Sequence, residues 1–470
     1  MAEFDLAVIG AGAAGLSVTA VAAQLGLRVA LIERDRMGGD CLNFGCIPSK
    51  ALLATAHTAQ AARGAARLGI HLPEPKIDWP AVSAHVHGVI AAIAPTDGAA
   101  RFRALGATVL CGEARFVSRD TVAVGNRRVT AHRIVIAAGS TAIAPPISGL
   151  DQVPYLTNTT LFGLTEQPDH LLILGGGPVG LEMADVFIGL GSRVTVLEAA
   201  TIAGKEDPEL VAGLRDSIVA RGVSLLEGTT VGAIERGPTL VLTDGRRIVG
   251  SHLLIAVGRR PNLEALDLAA GNVRATRNGV ATDQGLRSLT NRRVYAVGDI
   301  ADPRGIGPRA FTHIGSYHAG IVIRRALFRL PARLDYAALP RVTYTRPELA
   351  QVGMTEAEAR AAGHRISILR WPLAENDRAT AERDTTGLVK LVVGGSRLLG
   401  AGILAGNAGE MIGLWTLAIA QRVKLRTLAS LILPYPTRGE AGKRAVGSFF
   451  ASRLFAPRTK TLVRLLARLP

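Results

Sequence analysis

Cysteine is nearly absent: three residues among 470. That excludes a secreted disulfide scaffold, and a close thiol pair in such a chain points to redox or metal chemistry. No apolar run approaches the roughly 18 residues of a membrane-spanning helix. The N-terminal MAEFDLAVIGAGAAG carries acids and no basic segment, so no signal peptide is expected and a cytoplasmic location is the default. Acids are outnumbered, 38 against 54 Lys and Arg, for a net charge of +16. Acidic cofactors, nucleic acid, an anionic membrane or an Arg-rich codon bias would each account for it. Glycine, at 53 residues, is high but far below collagen levels.

Those glycines fall in a pattern that occurs twice. FDLAVIGAGAAG is an apolar strand running into Gly10, Gly12 and Gly15; an apolar helix follows, then RVALIE, ending at Glu33. HLLILGGGPVG repeats it with Gly175, Gly177 and Gly180, and RVTVLE ends at Glu198. In a dinucleotide-binding turn the first glycine permits the tight bend, the second admits a pyrophosphate, and the third lets helix and strand pack. The helix N-terminus faces the phosphates, and the acid accepts from ribose hydroxyls. One such glycine triplet is weak evidence; strand, glycines, helix, strand and acid in order, twice, is strong.

Two later apolar strands also match each other. RIVIAAGS reaches Gly139 and HLLIAVGR reaches Gly258. RRVYAVGDI, ending at Asp299, would return the chain to the first module; an ordinary turn acid is the other reading of Asp299. The expected fold class is α/β: two Rossmann-like dinucleotide-binding domains, residues 1–150 with 272–338 and residues 151–271, then an α+β domain over 339–470.

The thiol pair stands in GGDCLNFGCIPSK, with Cys41 and Cys46 at the mouth of a helix. A structural zinc site needs about four ligands, and only Cys111 remains among scattered histidines, so no resident metal is expected. Inert buried cysteines do not explain the surrounding glycines. A thiol in a helix's first turn gains thiolate character, and two beside a flavin make an electron relay.

This motif resembles that of the class I pyridine nucleotide-disulfide oxidoreductases, which include dihydrolipoamide dehydrogenase, glutathione reductase and mercuric reductase. VGRRPN (257–262), AVGD and PELAQVGMTEAEA (347–359) extend the resemblance over nearly the whole chain. It implies FAD on the first module, with Glu33 at the adenosine ribose and Asp299 near the ribityl chain. Cys46 would face the flavin in a charge-transfer complex, and Cys41 would attack the substrate. Lys50 would lie at the flavin's reactive edge, paired with Glu182. The nicotinamide would bind the second module, where Glu198 suits NADH; Lys205 nearby leaves NADPH as the alternative. The third domain would make a homodimer.

The sequence departs from the family in one place. Dihydrolipoamide dehydrogenases and glutathione reductases carry a catalytic His-Pro-Thr near the C-terminus, followed by Glu. Here LPYPTRGEAGKRA puts Tyr435 at the His position and keeps Glu440. A phenol is a poor base at neutral pH. Mercuric reductases place a tyrosine in this region, but their C-terminal cysteine pair and frequent N-terminal metal-binding domain have no counterpart in this sequence. His313 and His318 in FTHIGSYHAG are substitute bases or, more simply, packing residues. The tail mixes Phe449, Phe450, Leu454, Phe455, Leu462, Leu465 and Leu466 with Arg and Lys. That suits an interfacial segment at the inner face of the membrane, or a helix packed on the third domain.

The expected function is an FAD-dependent oxidoreductase resembling dihydrolipoamide dehydrogenase. It passes electrons from NADH through FAD and a Cys41–Cys46 disulfide to a small-molecule or protein acceptor, with no nucleic-acid partner. The alternatives are a mercuric-reductase-like soft-metal reductase and a membrane-associated NADH:quinone-type flavoprotein.

Overall fold

The computed structural model describes residues 2–469. The chain forms two compact units: Met1–Asp169 with Gly232–Val241 and Arg247–Leu334, and His170–Val231 with Leu242–Arg246 and Asp335–Pro470.

The first unit opens with β1 (Phe4–Ile9), α1 (Ala13–Gln24) and β2 (Val29–Glu33). A Cβ on Gly15 would lie 1.9 Å from the Gly10 carbonyl oxygen, so only glycine lets α1 start this close to the turn. Two helices follow, α2 (Gly39–Phe44) and α3 (Cys46–Gly64), and then α4 (Trp79–Asp97). After them come β3 (Thr108–Cys111), β4 (Ala114–Ser118), β5 (Thr121–Val124) and β6 (Arg127–Ile136). The sheet order is β3-β2-β1-β6-β5-β4. β3, β2, β1 and the second half of β6 run parallel, while the first half of β6 pairs antiparallel with β5. The strand Val294–Ala296 adds parallel to β6, Val294 opposite Ile134. Leu6, Val8, Leu31, Ile134 and Ile136 are buried, as expected of parallel strands covered on both faces.

The second unit repeats the opening motif: β7 (His170–Leu174), α5 (Pro178–Gly189), β8 (Arg193–Leu197), α6 (Pro208–Ala220) and β9 (Ser224–Leu226). β9, β8 and β7 pair in parallel. Then come β10 (Pro340–Thr343), β11 (Glu348–Gly353), β12 (Ile366–Pro372), β13 (Leu388–Gly394) and β14 (Arg397–Ala405). These form an antiparallel sheet in the order β10-β11-β14-β13-β12. Helices α7 (Ala408–Ala420) and α8 (Glu440–Leu454) complete its core with Ile412, Trp415 and Ile419, and with Ala441, Ala445 and Val446.

The C-terminal tail divides in two. Phe449 and Phe450 pack against that core, edge to face at 5.2 Å. Beyond them, α9 (Pro457–Leu466) buries no residue. Of the two readings of the tail, packing on the third domain therefore describes Phe449 and Phe450 but not α9, whose leucines are exposed. No helix among the described residues is long and apolar enough to cross a membrane.

Candidate active site

The two thiols occupy different helices. Cys41 is the third residue of α2, and Cys46 is the first residue of α3. The helices break at Gly45, where a Cβ would lie 2.9 Å from the Asp40 carbonyl oxygen. Cys41 is half-buried, Cys46 is exposed, and no disulfide joins them. Cys46 lies at a helix N-terminus, which favours negative charge on its sulfur. A hydrogen bond to Cys46, then burial, then the charge on Cys46 push the Cys41 thiol well above its ordinary range. Of the two thiols, Cys41 is thus the one held back from ionising. Lys50 lies one turn along α3, on the same face as Cys46.

The glycine turn of the first module adjoins this pair. Gly38 N–H donates to the Ala11 carbonyl at 2.9 Å, and a Cβ on Gly39 would lie 2.8 Å from Gly12 Cα. The Glu33 carboxylate accepts from Ala11 N–H at 2.7 Å and Asp35 N–H at 2.9 Å, fixing it at the turn. Gly12 caps α1 with no side chain, which leaves the first-turn N–H groups open to an anion. These features fit a flavin dinucleotide: a Cβ-free cradle, an open helix N-terminus and a carboxylate at the ribose position.

Asp299 follows Val294–Ala296 and is largely buried; burial raises its carboxyl above the usual range. Ser140 Oγ donates to it at 2.6 Å. Arg259 donates to Ser140 Oγ at 2.7 Å and pairs with Asp40, next to Cys41. Asn158 also donates to Asp40, at 3.3 Å. The segments after Gly139 and Gly258 meet here, since Ser140–Ala142 pairs antiparallel with Arg259–Pro261.

In the second unit, Gly175, Gly177 and Gly180 reproduce the turn. A Cβ on Gly180 would lie 1.9 Å from the Gly175 carbonyl oxygen. Glu198 accepts from Gly176 N–H at 2.7 Å and Ala200 N–H at 2.9 Å, matching Glu33 atom for atom. This turn fits a second dinucleotide by the same criteria. Glu182 is buried in α5 and accepts from Tyr344 N–H at 3.1 Å.

Tyr435 is exposed, and its hydroxyl donates to Asp377 Oδ2 at 3.1 Å. That bond to a carboxylate raises the phenol above its ordinary range, which leaves still less phenolate to act as a base near neutrality. Glu440 opens α8. Arg438 pairs with Glu382 and Asp384, both at 2.7 Å, and holds the intervening loop.

The structure adds residues that no motif announces. The Thr312 hydroxyl lies 3.1 Å from Cys46 Sγ, at the start of the helix Thr312–Val322. On that helix His318 is buried and accepts from Gly298 N–H at 3.0 Å, and burial lowers its pKa to about 4. Its burial and this backbone bond support the packing reading of His318. His313 is exposed and stacks on Phe311 at 5.3 Å.

Residues 4–357 match the family described as pyridine nucleotide-disulphide oxidoreductase, and residues 339–446 match its dimerisation domain. The chain is 39% identical to a mercuric reductase of Streptomyces lividans, over 95% of this chain and 96% of that protein. It is 33% identical to a dihydrolipoyl dehydrogenase of Geobacillus stearothermophilus, over 94% and 95%. Among solved structures, the Cu(II) complex of the HOCl-induced flavoprotein disulfide reductase RclA from Escherichia coli matches with a TM-score of 0.85. That match has 27% identity and covers 95% of this chain and 100% of that one.

Proposed function

As the chain belongs to the pyridine nucleotide-disulphide oxidoreductases, a family of enzymes that use FAD and NAD(P)H, we propose that a thiophilic metal ion, rather than a dithiol or disulfide, takes its electrons. The dimerisation domain supports a homodimer. In this reading residues 1–150 with 272–338 hold FAD, residues 151–271 hold the nicotinamide, and residues 339–470 dimerise.

The observation that carries the proposal is Tyr435. A dithiol substrate must lose protons to a base, and a phenol raised by Asp377 is not one near neutrality. A soft metal ion needs no base, because a coordinating thiol is deprotonated outright. Cys41, pushed up by Cys46, would give its proton directly to solvent as the metal binds. Cys41 and Cys46 would hold the ion as a dithiolate, and in the dimer Tyr435 would face that pair from the other subunit. Thr312 would hold Cys46 in place through its hydroxyl. When bound, FAD supplies the path for two electrons from the nicotinamide to the sulfur-bound ion. The sum balances for Hg(II): NADH and Hg(II) give NAD⁺, Hg(0) and a proton, and both thiolates are released unchanged. The mercuric reductase relative and the Cu(II)-bound neighbour agree with this acceptor class.

NADH oxidation is the test, with Hg(II), Cu(II), lipoamide and glutathione disulfide as acceptors and dihydrolipoamide with NAD⁺ in the reverse direction. Metal-dependent oxidation should disappear in Cys41→Ser. Dihydrolipoamide turnover should be slow by about 10²–10⁴-fold if only the base is missing, and Tyr435→His, beside Glu440, should raise it. Ordinary dehydrogenase rates in the wild type, with Hg(II) and Cu(II) acting only as inhibitors, would reverse the proposal.

A further inference from the structure

Helix α9 presents two opposed stripes. Leu462, Leu465, Leu466 and Leu469 recur at the three- and four-residue spacing that places them on one face. Helical hydrogen bonding continues past the last α9 residue, with Ala467 N–H to Val463 and Leu469 N–H to Leu466. Lys460, Arg464 and Arg468 recur every four residues on the opposite face. The four leucines are 52–65% exposed, so no described residue encloses them. A helix of this length is marginal in water without a surface to bury its apolar side.

The charge decides what that surface is. From Ala441 onward there are seven Lys and Arg and no acid, on a chain of net charge +16. A second copy of α9 brings the same cations and no acid, so it repels the basic stripe. An anionic bilayer attracts that stripe and takes leucines into its acyl boundary. Ala456, extended at φ −62° and ψ 147°, and Pro457 separate α9 from α8, so the helix leaves the core as a distinct element. We propose that α9 is a membrane-surface anchor for anionic lipid, lying in the interface plane without spanning it.

Cosedimentation of the FAD-loaded protein with phosphatidylcholine vesicles, with and without phosphatidylglycerol, tests this. Phosphatidylglycerol should strengthen binding roughly 10- to 100-fold, and the gain should fade as ionic strength passes about 0.1 M. Leu465→Ser/Leu466→Ser should abolish binding, and Lys460→Gln/Arg464→Gln/Arg468→Gln should remove the lipid-charge dependence. No side chain of α9 is buried, so neither variant touches the core; flavin absorbance and NADH:dye activity should stay at wild-type levels. A truncation after Ala456 removes α9 and keeps Phe449 and Phe450, which pack against the core; it too should abolish binding. Equal binding of wild type and variants would overturn the proposal. So would indifference to phosphatidylglycerol, or a dimer that falls to monomer on truncation, which would assign α9 to a second copy.

Discussion

Cys46 pushes the Cys41 thiol up. The causes are local: a hydrogen bond between the two sulfurs, burial of Cys41, and the charge on Cys46. Removing Cys46 removes the first and third of the causes acting on Cys41. In Cys46→Ser the alkylation of Cys41 by iodoacetamide should therefore gain rate at lower pH than in the reduced wild type. A long-wavelength charge-transfer band should be lost from the same variant and should appear in Cys41→Ser without reductant. An unchanged pH profile, or a band that survives Cys46→Ser, would mean that the two sulfurs were assigned the wrong way round. Thr312, 3.1 Å from Cys46, is the group that sequence reading had no means to find. It lies 266 positions away, in a segment whose only notable residues were histidines, and a lone threonine at a helix start is ordinary.

At the scale of elements, the duplicated strand-turn-helix was the most legible part of the chain. Its signal lies within 24 residues, Gly10 to Glu33 and Gly175 to Glu198, and each residue type there has one physical reason. The thiol helices were legible as a motif but not as two helices, because the break at Gly45 follows from its close approach to Asp40. Asp377 under Tyr435 and Arg259 under Asp40 were not legible, since each joins residues 58 or more positions apart. The two carboxylates give a further prediction. Glu198 uses both oxygens on backbone N–H groups, Gly176 in the glycine turn and Ala200 in its own loop, so Glu198→Arg does more than admit a 2′-phosphate. It should move the kcat/KM ratio toward NADPH and also cost roughly 1–3 kcal/mol, because two N–H groups lose their acceptor. Wild-type turnover faster with NADPH than with NADH would remove the basis for placing Glu198 at the 2′-hydroxyl.

Across the second unit, one buried cation ties the nucleotide module to the antiparallel sheet. Lys390 on β13 is 5% exposed and lies 2.9 Å from Asp207 and Glu209 and 3.0 Å from Glu356. Asp207 also caps α6 by accepting from Glu209 N–H at 3.0 Å. Arg370 first, and Lys390 with it, hold Glu209 down to about 2, and Glu356 is lowered as well. A depressed carboxylate contributes stability that is complete above its unfolded value of 4.5 and disappears as pH falls through the folded value. The wild type should therefore lose thermal midpoint between about pH 4.5 and pH 2. Lys390→Met should be less sensitive to acid. At pH 7 it leaves the buried Asp207 carboxylate without its partner Lys390, at a cost of about 3 kcal/mol. Glu209 and Glu356, which Lys390 helps to hold down, protonate in the wild type as pH falls from about 4.5 to about 2, so the deficit against wild type should narrow over that range. Thermal midpoints of both proteins across this range measure it. A deficit independent of pH would mean that Lys390 acts by packing its stem, and that the module and the sheet are joined by apolar contacts such as Leu210 against Gly402 instead.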